Sequence, residues 1–224
     1  MTLIYDEKYK APYELSRLSV IQSLIPPGRG RLALDVGCGS GLISKILAEK
    51  GWNVTALDIE PRNVELALRV AQHGIVGDVL SVLEGLPKKS FDLVVALELI
   101  EHLTAGKLLL QRLYEVTKND GFLVASTPNR ISPVGLSGYY WGEKIANWGK
   151  WMAWDESHVK IYSSFEFIGL LREVGWRPKK VYGFWYHGQL PFGIKWSLPF
   201  TSSKIFPFNR LGFNTISVCE RRAS

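Results

Sequence analysis

The sequence predicts an α/β fold with a mostly parallel sheet covered by helices on both faces. Over the first two thirds of the chain, short apolar runs alternate with segments in which apolar residues recur every three or four positions. The first pattern is typical of buried strands and the second of amphipathic helices. Strands and helices that alternate in this rhythm indicate a doubly wound parallel sheet.

Spacing and boundary residues predict the helices. The first carries Leu15, Leu18, Ile21 and Leu24 on one face and stops before a Pro-Pro-Gly turn. Pro61 suits the first position of a later helix because its missing N–H is not needed there. The predicted helices span residues 12–24, 41–50, 61–71, 104–116 and 163–174.

Apolar runs predict seven strands. The strongest is Phe91 to Leu97, which is apolar throughout except at Asp92. A turn at Asn119-Asp120-Gly121 leads into the fifth. The predicted strands lie at residues 32–36, 54–57, about 75–79, 91–97, 122–126, 179–183 and 215–220.

Composition indicates one globular domain over residues 1–224. Hydrophobic residues make up 46% and charged residues 21% of the 224, which excludes an intrinsically disordered chain. The net charge of +6 favours acidic partners or anionic surfaces. Because no dense basic run accompanies that charge, nucleic acid is disfavoured as a partner and peripheral membrane contact stays open.

The cysteines and the N-terminus predict a cytoplasmic protein. Cys38 and Cys219 are the only cysteines, too few for a disulfide framework. The N-terminus lacks the basic and apolar regions of a signal peptide, and no apolar stretch is long enough to span a membrane.

A glycine loop between the first strand and the following helix predicts a nucleotide-like ligand. It reads Asp35-x-Gly37-x-Gly39-x-Gly41, and glycines let a ligand approach main-chain amides that a Cβ would block. Asp58 ends the next strand, where an acid in a doubly wound sheet holds the ribose hydroxyls.

The spacing of this loop argues against a dinucleotide. The third glycine of the Gly-x-Gly-x-x-Gly fingerprint would fall at Leu42, or at Ser44 in the other register. Asp35, two positions before the first glycine, is less suited to a pyrophosphate than to a cationic amino group. S-adenosylmethionine has such a group and no phosphate.

On these residues the chain resembles class I S-adenosylmethionine-dependent methyltransferases, in the broad group that includes the ubiquinone-biosynthesis O-methyltransferases. The resemblance covers about residues 30 to 130 well and residues 158 to 176 more loosely. It is carried by the loop from Leu34 to Gly41, Asp58, Phe91-Asp92-Leu93-Val94-Val95, Glu101-His102-Leu103 and Ser126-Thr127-Pro128-Asn129. It implies S-adenosylmethionine as cofactor and a seven-stranded Rossmann-like sheet, with residues 30–128 as the cofactor-binding core.

The resemblance also implies roles for single residues. Gly37, Cys38 and Gly39, in the loop that Gly41 closes, would line the methionine part of the cofactor, with Asp35 towards its ammonium. Asp58 would hold the ribose. Ile59 would lie against the adenine, Asp78 followed by Val79 would accept from the adenine amine with Glu84 as rival, and Leu97 with Glu98 would border the sulfonium.

Two histidines are the candidate catalytic residues. His102 would lie near the sulfur side of the cleft, as a base or as a group that orients the acceptor; the alternative is a histidine that caps the following helix. His158 would face the cleft or solvent. Glu98, Glu101 and His102 suggest a divalent cation site, but the favoured interpretation has Glu101 at a helix start and no metal.

Six of the eight tryptophans fall in two irregular segments, residues 129–160 and 184–212, which predict a cap on the acceptor side. They are Trp141, Trp148, Trp151, Trp154, Trp185 and Trp196. They would form the core of that cap, line a pocket for an apolar acceptor, or meet a membrane together with Lys144, Lys150 and Lys195.

The predicted function is methyl transfer to a small aromatic or apolar acceptor at oxygen, with nitrogen and carbon open. The alternatives are methylation of nucleic acid or protein, an NAD-dependent oxidoreductase, and a non-catalytic protein that binds S-adenosylmethionine. The sequence gives neither the acceptor nor the oligomeric state.

Overall fold

The computed structural model describes residues 12–136, 157–184 and 202–221. Its helices are α1 (Pro12–Leu24), α2 (Leu42–Glu49), α3 (Pro61–Ala67), α4 (Val79–Gly85), α5 (Gly106–Val116), α6 (Pro133–Gly135), α7 (Ser164–Val174) and α8 (Phe208–Leu211). Its strands are β1 (Leu32–Val36), β2 (Asn53–Asp58), β3 (His73–Val76), β4 (Phe91–Leu97), β5 (Thr117–Pro128), β6 (Trp176–Phe184), β7 (Ser202–Ser203) and β8 (Asn214–Arg221).

All strands join one sheet in the order β3-β2-β1-β4-β5-β8-β6-β7. Strands β1 to β5 pair in parallel, whereas β8 runs antiparallel to both of its neighbours, β5 and β6. The prediction of a seven-stranded, mostly parallel sheet is confirmed by the seven longer strands. The two-residue strand β7 is an addition at the edge.

The sheet separates two hydrophobic cores, which confirms the doubly wound arrangement. On one face, Leu34 and Val36 of β1 pack in a cluster with residues of α4, α5 and α7. On the other face, Ala33 belongs to a cluster with residues of α1, α2 and α3. Successive β1 residues therefore face opposite cores, as the period of two in a strand requires.

The third strand and its surroundings correct the prediction. β3 covers His73–Val76 rather than residues 75–79, and α3 ends at Ala67 rather than at Ala71. Val79 begins α4, a helix that the sequence analysis did not predict. The Asp78 side chain caps it by accepting from the Ser81 backbone N–H. The predicted strand runs across this cap to Val79 because Ile75, Val76 and Val79 are all apolar.

The parallel register brings the carboxyl ends of three strands to one edge of the sheet. Val36, the last residue of β1, pairs with Leu57 of β2 and with Ala96 of β4. The residues that follow these strands therefore meet above the same edge, where ligands bind in open α/β sheets.

Most of the predicted cap lies outside the described residues. This applies to all six tryptophans and three lysines named for it, so its role stays a prediction. Among the described residues, no helix is both long and apolar enough to cross a membrane.

Candidate active site

The glycine loop joins β1 to α2 and is hydrogen-bonded to β2. The backbone N–H groups of Gly37 and Cys38 both donate to the Leu57 carbonyl, over 2.8 and 3.0 Å. Gly39 has a φ of +49°, and a Cβ built on it would meet no atom within 4 Å. Gly39 therefore borders open space, as a cofactor-binding glycine requires.

Gly41 serves packing rather than an opening. Its φ is +78°, and a Cβ there would lie 2.8 Å from the Cα of Ala67 in α3. Real Cβ atoms do not approach that closely, so glycine is what allows α2 and α3 to pack together. The predicted role of Gly41 in cofactor binding stays a prediction, and this packing is a separate reason for glycine at the position.

Asp58 connects the end of β2 to the glycine loop. One carboxylate oxygen accepts from the Gly39 backbone N–H over 2.9 Å, and the other accepts from the Glu60 N–H over 2.9 Å. The neighbouring Ile59 side chain is 71% exposed, which is unusual for a large apolar residue. Asp58 and Ile59 lie together at the carboxyl edge, as the resemblance implies.

Asp35 is a buried acid without a cationic partner among the described residues. It is 3% exposed and accepts a hydrogen bond of 2.6 Å from the Ser44 hydroxyl. Burial raises its pKa to about 6, and the charge of nearby Asp58 adds to the shift. A cation bound at the glycine loop would stabilise the ionised form of this carboxyl group and lower its pKa.

Cys38 takes part in the glycine loop through its backbone N–H, whereas its thiol is unreactive. The side chain is buried, and burial together with the charges of Asp35 and Asp58 raises the thiol pKa to about 12. The thiol is therefore protonated at neutral pH and is not a nucleophile.

Asp78 and Glu84 are separated by their partners. Asp78 is exposed at the start of α4, where hydrogen bonds from the Ser81 backbone and hydroxyl lower its pKa. Glu84 lies further along α4 and pairs with Arg112 of α5 over 2.9 Å. This favours Asp78, beside the end of β3, over Glu84 as the residue near the adenine.

Glu98, just after Leu97 at the end of β4, has a φ of +52°. A non-glycine residue in that region is strained and persists where its surroundings hold it. Its carboxylate accepts from the Ser126 hydroxyl and from the Asn214 amide, each over 2.5 Å, and lies 3.7 Å from Arg17 of α1. Glu98 thus connects β4, β5, β8 and the first helix.

Glu101 is fully buried in a short 3-10 turn, Ile100–His102, before α5. One of its carboxyl oxygens accepts from the Thr127 hydroxyl over 3.2 Å, and the other has no hydrogen-bond partner among the described residues. Burial, with the charge of Glu98, raises its pKa well above the usual range. The favoured prediction placed Glu101 at a helix start, and Glu101 does lie in the first turn of this 3-10 helix. Its burial and raised pKa favour the neutral carboxyl group, which argues against the predicted stabilisation of a negative charge by the helix dipole.

His102 and His158 lie side by side next to Glu101. Their ring centroids are 4.8 Å apart with the rings edge to face. The segment before α7 is held there because the Val159 and Lys160 N–H groups both donate to the Glu101 carbonyl, over 2.8 and 3.1 Å. The structure therefore joins two histidines that lie far apart in the sequence.

Glu101, His102 and His158 can each offer one ligand atom, all within 4.8 Å of one another. The cation hypothesis therefore needs a different third member, because the Glu98 carboxylate is directed to Ser126 and Asn214 while His158 takes its place. His102 Nδ1 lies 3.0 Å from the Ser157 hydroxyl and 3.3 Å from the Ser157 carbonyl, not at a helix cap.

The residues that hold Asp35 and Glu98 in place were not predicted from the sequence. Ser44, Asn214 and Arg17 come from α2, β8 and α1, and nothing in their local sequence marks them. Ser126 lies inside the quoted Ser-Thr-Pro-Asn motif, which was the one available signal.

Comparison with known proteins agrees with this geometry. A family model described as "Methyltransferase domain" matches residues 6–181. A "Ubiquinone biosynthesis O-methyltransferase" of Rickettsia canadensis is 33% identical over 160 residues. That match covers 68% of this chain and 65% of the relative, so the chain spans less than two thirds of the relative's length.

Solved structures share the fold. A SAM-dependent methyltransferase from Archaeoglobus fulgidus is 20% identical with a TM-score of 0.68, covering 97% of this chain and 98% of that one. Magnesium protoporphyrin IX methyltransferase from Synechocystis, solved with bound SAH, is 18% identical with a TM-score of 0.58, covering 92% of this chain and 80% of that one.

The family match decides against the NAD-dependent oxidoreductase, and it agrees with the missing third glycine of the dinucleotide fingerprint. Because the family model spans well over half of the chain, this protein belongs to the methyltransferase domain family, as its resemblance to class I S-adenosylmethionine-dependent methyltransferases predicts.

Proposed function

We propose that this protein transfers a methyl group from S-adenosylmethionine to a hydroxyl oxygen of a small aromatic or apolar acceptor. The observation that carries the proposal is the placement of two groups of residues at one edge of the sheet. Asp35, Gly39 and Asp58 lie at the ends of β1 and β2, and the histidine pair lies just beyond β4.

The described residues fit the cofactor. Open space at Gly39, the buried acid Asp35 and the exposed Ile59 match a methionine chain, an ammonium group and an adenine ring. Asp58 would accept from the ribose hydroxyls while it keeps the loop amides in place, and Asp78 would accept from the adenine amine. When bound, the cofactor supplies a methyl carbon activated by its sulfonium.

The histidine pair provides a proton acceptor for a hydroxyl. His102 Nδ1 lies at the Ser157 carbonyl and hydroxyl, so a proton on Nδ1 donated to the carbonyl leaves Nε2 unprotonated. Nε2 has no hydrogen bond to a described residue and would take the proton of the acceptor hydroxyl as its oxygen attacks the methyl carbon. His158 fixes the ring of His102 from the side.

Oxygen as the methylated atom is supported by the Rickettsia relative, which is named an O-methyltransferase. A phenol must lose its proton as it attacks the methyl carbon, and His102 of the histidine pair would accept that proton. An aniline also loses a proton, but only after the new bond has formed.

The test is a transfer assay with radiolabelled S-adenosylmethionine and matched acceptors. Small phenols and catechols with apolar substituents are compared with the anilines of the same shape, and calorimetry measures S-adenosylhomocysteine and NAD. We expect the phenols to be methylated and only S-adenosylhomocysteine to bind. Binding without transfer to any acceptor, including those in a cell extract, would leave a non-catalytic binding protein instead.

A further inference from the structure

An exposed apolar surface lies around α8, apart from the cofactor residues. Ile205 and Phe206 follow one another with 67% and 70% of their side chains exposed. Phe208 is 43% exposed, and Phe165, at the start of α7, is 55% exposed. Adjacent large apolar side chains at this exposure mark a contact surface rather than a part of the core. We call residues 204–210 with Phe165 the α8 surface.

Cations accompany this surface. Lys204 and Arg172 are exposed, and the Arg210 guanidinium lies 5.8 Å from the centre of the Phe165 ring. None of these three cations forms an ion pair with a described residue. The acids of α7 have other partners, since Glu166 pairs with Arg130 and Glu173 with Lys107.

The Arg210 guanidinium group is incompletely hydrogen-bonded by the described residues. Its Nη1 atom is buried and has no hydrogen-bond partner there. Burial and the charge of Arg172 lower its pKa. Two guanidinium groups near each other without an acid favour an anionic ligand.

The backbone of the surface is held firmly. The buried Asn129 amide donates to the carbonyls of Arg210 and Gly212, over 2.8 and 2.7 Å, and the Asn209 amide donates to Val181 of β6. Apolar side chains on a fixed backbone enter another phase without a large loss of chain entropy.

The surface adjoins the candidate active site. Asn214, two residues after Gly212, donates to Glu98 at the end of β4. An acceptor that leaves a bilayer at α8 would therefore arrive at the edge of the sheet where the histidine pair lies.

From these observations we infer that the α8 surface docks onto an anionic lipid bilayer, with Ile205 and Phe206 inserted at the interface and the exposed Lys204 and Arg172 facing lipid phosphates. The partly buried Arg210 adds positive charge behind them. Apolar insertion combined with cations is how peripheral proteins bind membranes reversibly. The inference goes beyond the proposed function and does not depend on it.

Co-sedimentation of the full chain with vesicles tests the inference. We expect binding to vesicles of phosphatidylcholine mixed with phosphatidylglycerol, and binding at least about tenfold weaker to pure phosphatidylcholine. The double variant Ile205→Ser, Phe206→Ser and the single variant Lys204→Glu should each bind about fivefold more weakly or worse.

Two matched controls keep the test specific. Leu108→Ser changes an exposed apolar residue of α5, and Arg177→Glu changes a cation at the opposite end of β6. Both should bind vesicles as the unchanged protein does, and every variant should keep its affinity for S-adenosylhomocysteine, which shows that it is folded.

Three outcomes would overturn the inference. They are no binding to either vesicle, equal loss in the control variants, and a dimer by light scattering that the Ile205→Ser, Phe206→Ser variant converts to a monomer. The last outcome would assign the surface to a second copy of the chain. If the unchanged protein does not bind S-adenosylhomocysteine, the proposed function is contradicted, but the vesicle-binding result still stands.

Discussion

The Gly39 backbone N–H donates a hydrogen bond of 2.9 Å to the Asp58 carboxylate, which joins the cofactor loop to the end of β2. The same carboxylate accepts from the Glu60 N–H. Asp58 therefore shapes the loop, and in the proposed function the same carboxylate would also accept from the ribose hydroxyls.

Replacing Asp58 by Ala should weaken binding of S-adenosylhomocysteine. Loss of one or two hydrogen bonds to the ribose costs about 2 kcal/mol, or about thirtyfold in Kd. Titration calorimetry measures the change, with Asp92→Asn as control because Asp92 pairs with Lys118 rather than with the loop. Equal affinity in Asp58→Ala would mean that the ribose lies elsewhere.

The raised pKa of Asp35 predicts a pH dependence of cofactor binding. A bound ammonium group favours the ionised carboxylate, so below about pH 6 binding must release the proton of Asp35. Affinity for S-adenosylhomocysteine should therefore rise as the pH increases through about 6 and level off above it. Calorimetry in buffers with different ionisation enthalpies reports the released proton.

Asp35→Asn is the matched variant, because its amide oxygen still accepts from Ser44. Asp35→Asn should bind S-adenosylhomocysteine more weakly than the unchanged protein, and its affinity should not rise as the pH increases through about 6. In the protein without cofactor, a rise in pH has the opposite effect: it lowers the free energy of unfolding, because ionising a buried acid destabilises the folded state. The free energy of unfolding should fall by up to about 3 kcal/mol as the pH rises from about 4 to about 6, and Asp35→Asn should lack that fall. An unchanged pH profile in the variant would contradict this role.

Alanine substitutions at Gly39 and Gly41 should have different effects, the first mainly on cofactor affinity and the second mainly on the free energy of unfolding. Both have positive φ, so alanine costs about 1 kcal/mol at either position. At Gly41 the added Cβ also meets Ala67, which raises the expected loss to about 3 kcal/mol.

Gly39→Ala leaves the packing intact but places a methyl group in the open space beside the loop. It should therefore lower cofactor affinity more than stability. Chemical denaturation and calorimetry on both variants check this, and a larger stability loss in Gly39→Ala would reverse the assignment.

The sequence was sufficient for features that depend on neighbouring residues. β1 and β4 match their predicted bounds because each is a continuous apolar run between turn residues. The α7 helix starts with a capping box from Ser163 and Glu166 and ends at Gly175, which lie where a local pattern can be recognised.

Features that depend on tertiary packing were not predictable in this way. The burial of Glu101 follows from the loop that brings Val159 and Lys160 onto its carbonyl, and no local pattern shows that contact. The Asn214–Glu98 hydrogen bond joins residues more than a hundred positions apart. Strong signals therefore marked the cofactor side, whereas the acceptor side is assembled from distant segments.

His102→Gln should lower kcat by about 10²- to 10⁴-fold with a phenolic acceptor, because it removes the proton acceptor at Nε2. Affinity for S-adenosylhomocysteine should not change, since His102 is apart from the glycine loop. His73→Gln is the matched control, an exposed histidine at the far end of β3. Steady-state kinetics test the prediction, and an equal effect in both variants would remove His102 from the mechanism.

A chelator should leave the activity unchanged, although Glu101, His102 and His158 lie close enough to share a cation. A divalent cation needs an ionised carboxylate, and burial, together with the charge of Glu98, favours the neutral form of Glu101. Glu101→Gln preserves that neutral form and its acceptor for Thr127, so this variant should remain folded and active at neutral pH. Methyl transfer is measured before and after treatment with EDTA. Loss of activity that magnesium or zinc restores, together with an inactive Glu101→Gln, would show that the three side chains hold a metal and that proton transfer to His102 is not the mechanism.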